Sequence, residues 1–197
     1  MKIFLFVVVV VLIIMNVVLS IFFLRYKDSQ AYLYRVLKDD TKNCISIMEN
    51  WNAVVQNAGI SLKAVQDNDE CVKNLKRLFR QNGSDKLFIC RFSELNCEKC
   101  IDYAIDVLQS SYEVQNVVFL ADYHDKRILK CQIQKYGIDS IRVMNVREIN
   151  LPIEALNKPY FFLLDSTLNV CNVFIPDKVS GNMKQKYFDM IKDKCVQ

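Results

Sequence analysis

Residues 86–108 read KLFICRFSELNCEKCIDYAIDVL, and this stretch constrains the fold more than any other. Leu87 to Phe92 is a short apolar run interrupted only by Arg91, which suits a buried strand. Cys97-Glu98-Lys99-Cys100 follows, and then a helical pattern takes over. Cys100, Ile101, Ala104, Ile105 and Leu108 fall at the i, i+3, i+4 spacing of one buried face. The cysteine pair thus sits where a strand ends and a helix begins. The first helical turn leaves N–H groups unpaired and carries partial positive charge, so a thiolate there is stabilised. Two cysteines at this spacing can also close a disulfide and so hold or release two electrons.

The rest of the composition narrows the alternatives. With 26 basic and 22 acidic residues the net charge is +4, and no basic run stands out, so no nucleic-acid partner is expected. Four glycines and three prolines exclude a low-complexity chain. The eight cysteines are too few for a disulfide scaffold of 197 residues. Only Cys97 and Cys100 have redox or metal spacing; the others read as small buried hydrophobes. There is no phosphate loop, no Gly-x-Ser-x-Gly and no paired histidines. His124, the one histidine, reads as a polar loop residue.

Ile3 to Leu24 is apolar except for Asn16 and Ser20, and at ~1.5 Å per residue it spans about 33 Å, enough to cross a bilayer. It is too long for a signal peptide and lacks a small-residue cleavage site, so residues 1–28 read as a permanent transmembrane anchor held in lipid by 3–24. Arg25, Lys27, Arg35, Lys38 and Lys42 follow it, and counted alone they favour a cytoplasmic body. Residues 29–80 read as a helical spacer. Leu33, Leu37, Cys44, Met48, Trp51 and Val55 form a stripe that would pack on the body, with a coiled-coil stem as the other reading. Gly59 closes that helix, Ile60 to Val65 reads as a short edge strand, and Cys71, Val72, Leu75, Leu78 and Phe79 mark a second helix.

Beyond the cysteines the alternation continues through 81–197. Val117–Ala121 is a strand, and Ile128, Leu129, Ile133 and Tyr136 mark a helix closed by Gly137. Ile141–Val146 is a strand, Tyr160–Leu164 and Val170–Ile175 form a hairpin, and a last helix starts near Ser180. Strands alternating with helices imply a parallel sheet covered on both faces, with the hairpin as an antiparallel edge.

This pattern resembles the thioredoxin fold, and more narrowly the membrane-anchored bacterial thiol–disulfide oxidoreductases of the TlpA-like branch. The likeness rests on C-x-x-C opening the helix after the first core strand, on Pro159 directly before YFFLLD, and on the closing hairpin and helix. It implies an α/β class: a thioredoxin-like mixed sheet flanked by helices, preceded by the transmembrane helix and the spacer. It implies Cys97 as exposed nucleophile, Cys100 as resolving thiol, and Lys158 and Pro159, with a cis peptide bond, at the substrate groove. It also implies protein thiol or disulfide substrates, a separate electron donor or acceptor, no cofactor beyond the redox-active disulfide, and a periplasmic body on the inner membrane.

Departures from the family surround the cysteines. Asn96 replaces a tryptophan, and Glu98-Lys99 replaces a glycine-proline pair, setting a thiol-pKa-raising anion beside a lowering cation. Arg91 stands where relatives carry a buried acid, and Glu94 or Asp165 would partner it. Two other readings stand beside exchange chemistry: a redox-inactive interaction scaffold, and a metal site on Cys97 and Cys100 with Cys90, Cys131 or His124 drawn in.

Overall fold

A computed structural model describes residues 2–62, 69–113, 116–147, 149–179 and 181–195, with side chains omitted at 2–13, 82, 181, 182, 194 and 195. The chain divides into two compact units, Met1–Cys44 and Ile45–Gln197. The body therefore takes in residues 45–80, which the sequence assigns to the spacer.

Helix α1 is Lys2–Asn57 and α2 is Asp69–Asn82. Strand β1 (Lys86–Ser93) leads into α3 (Glu98–Ser111), β2 (Val117–Asp122) into α4 (Lys126–Tyr136), and then comes β3 (Val143–Asn145). The hairpin β4 (Tyr160–Asp165) and β5 (Val170–Phe174) precedes α5 (Gly181–Cys195). The sheet order is β3-β2-β1-β4-β5, with β1, β2 and β3 parallel and β4 and β5 antiparallel. This mixed α/β sheet fits the thioredoxin-like fold expected from the sequence. Gly137 closes α4 at φ 64°, a left-handed position that glycine adopts without a Cβ penalty.

Side chains alternate across β1 and build two cores. Leu87 and Ile89 join Val118, Phe162, and Leu75 and Leu78 of α2 on one face. Phe88, Cys90 and Phe92 join Ile105 and Leu108 of α3 and Phe188 and Ile191 of α5 on the other. Both faces are covered, which is why β1 reads as a nearly continuous apolar run. The exception, Arg91, lies on the first face.

Three expectations change. Of the expected stripe Leu33, Leu37, Cys44, Met48, Trp51 and Val55, the three residues that lie within the body, Met48, Trp51 and Val55, are exposed rather than packed. Within the body, α1 instead buries Ser46, Asn50, Ala53 and Asn57. The reason is that this face meets backbone as well as side chains. Asn50 accepts from Ile175 N at 2.7 Å and donates to Ile175 O at 3.3 Å, and Asn57 accepts from Ile153 N at 3.3 Å. Small and amide side chains satisfy those groups, whereas large apolar ones would leave them unpaired.

Only Val143–Asn145 of the expected Ile141–Val146 strand is strand. Asp139 accepts from Ile141 N at 3.0 Å and holds Ser140–Arg142 in a 3-10 turn, so β3 is short. The Ile60–Val65 strand reduces to one antiparallel bridge, Ser61 to Asn169, flanked by bonds to Val170 and Leu168; residues 63–65 lie outside the described ones. The side chains of 3–13 in the expected anchor also lie outside. Among the described residues no helix is long and apolar enough to cross a membrane.

Asn50→Ala should lower stability by about 2 kcal/mol in urea unfolding, because the two buried Ile175 groups lose their partner.

Candidate active site

The site lies where β1 ends. Because β4 runs antiparallel with Arg91 opposite Tyr160, Pro159 at its start comes level with the end of β1. The C-terminal ends of parallel strands are where open α/β sheets hold ligands. Ser93 N donates to Asn96 Oδ1 at 2.8 Å and Asn96 N to Ser93 O at 3.1 Å, closing the turn that aims Cys97 outward. Asn96 thus shapes the loop through hydrogen bonds.

Cys97 is the N-cap of α3, a position usually taken by an oxygen-bearing side chain. Its Sγ accepts from Cys100 N at 3.3 Å and lies 2.6 Å from Cys100 Sγ; both are free thiols. Cys97 is exposed and Cys100 half-buried. Their acidities diverge. The hydrogen bond from Cys100 lowers the Cys97 pKa, helped by the N–H groups of Cys100 and Lys99 and by the Lys99 charge. The same sulfur contact raises Cys100, with burial adding to it, while Lys158 and Lys178 oppose the rise. The arrangement therefore makes Cys97 the more acidic of the two thiols.

Glu98 is drawn away from the sulfurs. Lys135 of α4 bonds Glu98 at 2.9 Å and Asp102 at 2.7 Å, and Tyr136 donates to Asp102 at 2.8 Å. The expected contest between Glu98 and Lys99 over the thiol is therefore one-sided, in favour of Lys99.

Arg91 is buried, but neither Glu94 nor Asp165 partners it. Asp165 stands opposite Lys86 in the strand register at the far end of β1, and its carboxylate accepts from Thr167 and Asn169. Glu94 instead accepts from His124 N at 3.1 Å and faces His124 Nδ1 at 2.7 Å, bonds that lower its pKa. The Arg91 guanidinium donates to both carboxylate oxygens of Glu154 at 3.2 and 2.8 Å, to Asp122 at 3.1 Å and to Val146 O at 2.8 Å. Burial disfavours its charge, yet the bond and charge of Glu154 outweigh that and raise its pKa. Tyr160 donates to Glu154 at 2.7 Å, and burial pushes its pKa well up.

Lys158 lines two cavities, and Pro159 lines the smaller of them. One, of about 230 Å³, is shared by Cys100, Pro159, Lys99, Tyr103 and Lys178. The other, of about 480 Å³, is lined by Asn96, Leu95, Pro152, Asn157 and Lys158. Pro159 is buried, and Lys158 bonds Glu49 of α1 at 2.7 Å. The peptide bond before Pro159 is trans, since no cis bond occurs among the described residues; this corrects the expected cis form. A proline at the first residue of a strand needs only to lack a ladder donor, which either isomer satisfies.

Among the described residues no further thiol joins the pair in a cluster of metal-ligating side chains. Cys90 is buried in the core, where burial raises its pKa, and Cys131 is exposed on α4. Sequence reasoning missed Asp122, Glu154, Tyr103 and Lys178. Asp122 ends β2 beside the site, a position that strand-end placement could have flagged. Glu154 and Lys178 come from irregular turns with no periodic signal.

No family model and no curated protein matches the chain. Among solved structures, the chain is similar to a thiol:disulfide interchange protein from Bacteroides sp., with TM-score 0.39, 9% identity, and coverage of 59% of this chain and 77% of that one. It is also similar to a peroxiredoxin-like protein from Aquifex aeolicus, with TM-score 0.31, 11% identity, and coverage of 53% and 71%. These likenesses are shallow, and the fold rests on the strand order above.

Iodoacetamide at pH 7 should modify Cys97 faster than exposed Cys131, as peptide mapping by mass spectrometry will read. Cys100→Ala removes the leading pKa-lowering bond, so the Cys97 pKa should rise and its alkylation at pH 7 should slow.

Proposed function

We propose that this chain is a thiol–disulfide oxidoreductase of the thioredoxin type, tethered to the bacterial inner membrane by residues 3–24 with its body in the periplasm. The observation that carries the redox reading is the pair of sulfurs 2.6 Å apart at the start of α3, with acidities pushed in opposite directions. The Cys97 thiolate attacks one sulfur of a substrate disulfide, and the other sulfur leaves as a thiolate. Cys100, deprotonated in turn, attacks Cys97 Sγ and expels the second substrate thiolate. The substrate gains two electrons, one proton from Cys100 and one from solvent water, and the protein becomes the disulfide. The reverse sequence oxidises a substrate dithiol.

Pro159 and Lys158 line the cavity that also holds Cys100 and would bound the groove that receives substrate backbone. Glu94 and Arg91 act further back, holding the strand ends beneath the loop. The membrane part of the reading is supported by the apolar sequence from Ile3 to Leu24 and by the exposure of its described side chains, Phe22 and Phe23 among them.

The test is insulin-disulfide reduction by the full chain, with dithiothreitol as electron donor. Wild type should accelerate it, Cys97→Ser should be inactive, and Cys100→Ser should accumulate a mixed disulfide visible on a non-reducing gel. Wild-type activity no greater than that of Cys97→Ser would leave the scaffold reading in place. Resistance to alkaline extraction, together with a C-terminal compartment reporter, tests the anchor and its side.

A further inference from the structure

The two cavities beside Cys97 differ in charge, and that difference bears on what the site takes. In the larger one the acids are already engaged, because Asp122 and Glu154 turn to the Arg91 guanidinium. The smaller one, which contains Cys100 and Pro159, has Lys99, Lys158 and Lys178 against a single acid, Asp177. Lys158 is neutralised by Glu49 at 2.7 Å. Lys99 and Lys178 have no ion-pair partner among the described residues, and Lys178 sits 6.0 Å from the centre of the Tyr103 ring. Asp177 is occupied locally: its carboxylate accepts from Val179 N at 2.7 Å and its carbonyl from Tyr103 at 2.8 Å. Lys158 and Lys178 both act on the Cys100 sulfur through space, so the positive field reaches the reacting atoms.

We propose that the smaller cavity selects disulfide-bearing peptides with an aspartate or glutamate beside the reacting cysteine, the carboxylate lying between Lys99 and Lys178. This inference rests on the exchange reading above and adds a substrate class to it. A cleft lined by one sign of charge raises the local concentration of the opposite sign and speeds encounter, and salt screens the effect. In the mixed disulfide the substrate cysteine is bonded to Cys97, so its chain neighbour falls within reach of the residues around Cys100. The released substrate thiolate leaves the same positive rim and takes the proton given up by Cys100, so atoms and electrons balance as in the parent reaction.

The experiment uses the reduced full chain in single-turnover oxidation by three disulfide-looped peptides that differ only in flanking residues: aspartates, serines or lysines. At low salt the aspartate peptide should react about three- to tenfold faster than the lysine peptide, the size expected for one or two exposed charge pairs. The ratio should approach one in 0.5 M salt. Lys178→Glu, and Lys99→Glu with Lys178→Glu, should invert it. The ratio within each variant is the readout, because Lys99→Glu also alters the Cys97 thiol and would change all three rates together. Equal aspartate and lysine rates in wild type, or a preference unchanged in the double variant, overturn the inference while leaving exchange intact. Failure of the serine peptide and of neutral bis(2-hydroxyethyl) disulfide to react at all overturns the exchange reading, and this one with it.

Discussion

One buried cation ties together the ends of the strands on which the site stands. Arg91 reaches from β1 to Asp122 at the end of β2, to the Val146 carbonyl just past β3, and to Glu154 in the turn before β4. Tyr160, the first residue of β4, closes the circuit on Glu154. An isolated guanidinium in that position would be prohibitive, so its partners are obligatory rather than optional. The fork on Glu154 supplies two parallel charge-assisted bonds, a geometry that lysine could not reproduce. Hydrophobic packing holds β1, β2 and β4 side by side and seats the turn at 152–156 through Leu151 and Ile153. The ion pair joins that turn to the strand ends, and the turn forms one wall of the cavity beside Asn96.

The same division of labour recurs at the helix that enters the body. The last turns of α1 present Ser46, Asn50, Ala53 and Asn57 inward, a face with little apolar surface. What it offers instead is direction. Asn50 fixes the backbone at Ile175, Asn57 that at Ile153, and Glu49 holds Lys158. Each of those three positions lies in or next to a segment bordering the sulfurs. Helix α1 therefore aligns the walls of the site rather than filling its core, which is why a hydrophobic pattern search misreads its packing face.

That contrast marks how much was legible beforehand. The order of strands and helices, the buried face of α3, the Gly137 cap and the cysteine pair at a strand-to-helix junction follow from periodicity and from residues with strong local preferences. The approach of Pro159 to the cysteines is implied by the family resemblance alone; in the structure β4 begins level with the end of β1, and Pro159 lines the same cavity as Cys100. The partners of Arg91 were not readable. Charged residues carry no periodic signal, and the nearest candidates in sequence, Glu94 and Asp165, are taken up by His124 and by the Asp165–Asn169 turn. The stripe on α1 failed for a related reason: apolar spacing shows which residues share a face, not whether that face meets the body.

The acid–base asymmetry of the two thiols follows from where the helix starts. If Cys97 stood one turn later its sulfur would face an N–H already bonded to a carbonyl, and neither the Cys100 N–H nor the Lys99 N–H could serve it. As the N-cap it receives both, while Cys100, inside the first turn, does not, and burial adds to that difference. The exposed sulfur is therefore the more acidic one and the half-buried sulfur the one that holds its proton more tightly, the asymmetry that the proposed exchange calls for. In the proposed exchange the partner thiol is then already within reach, at 2.6 Å, so backbone geometry would set the order of attack.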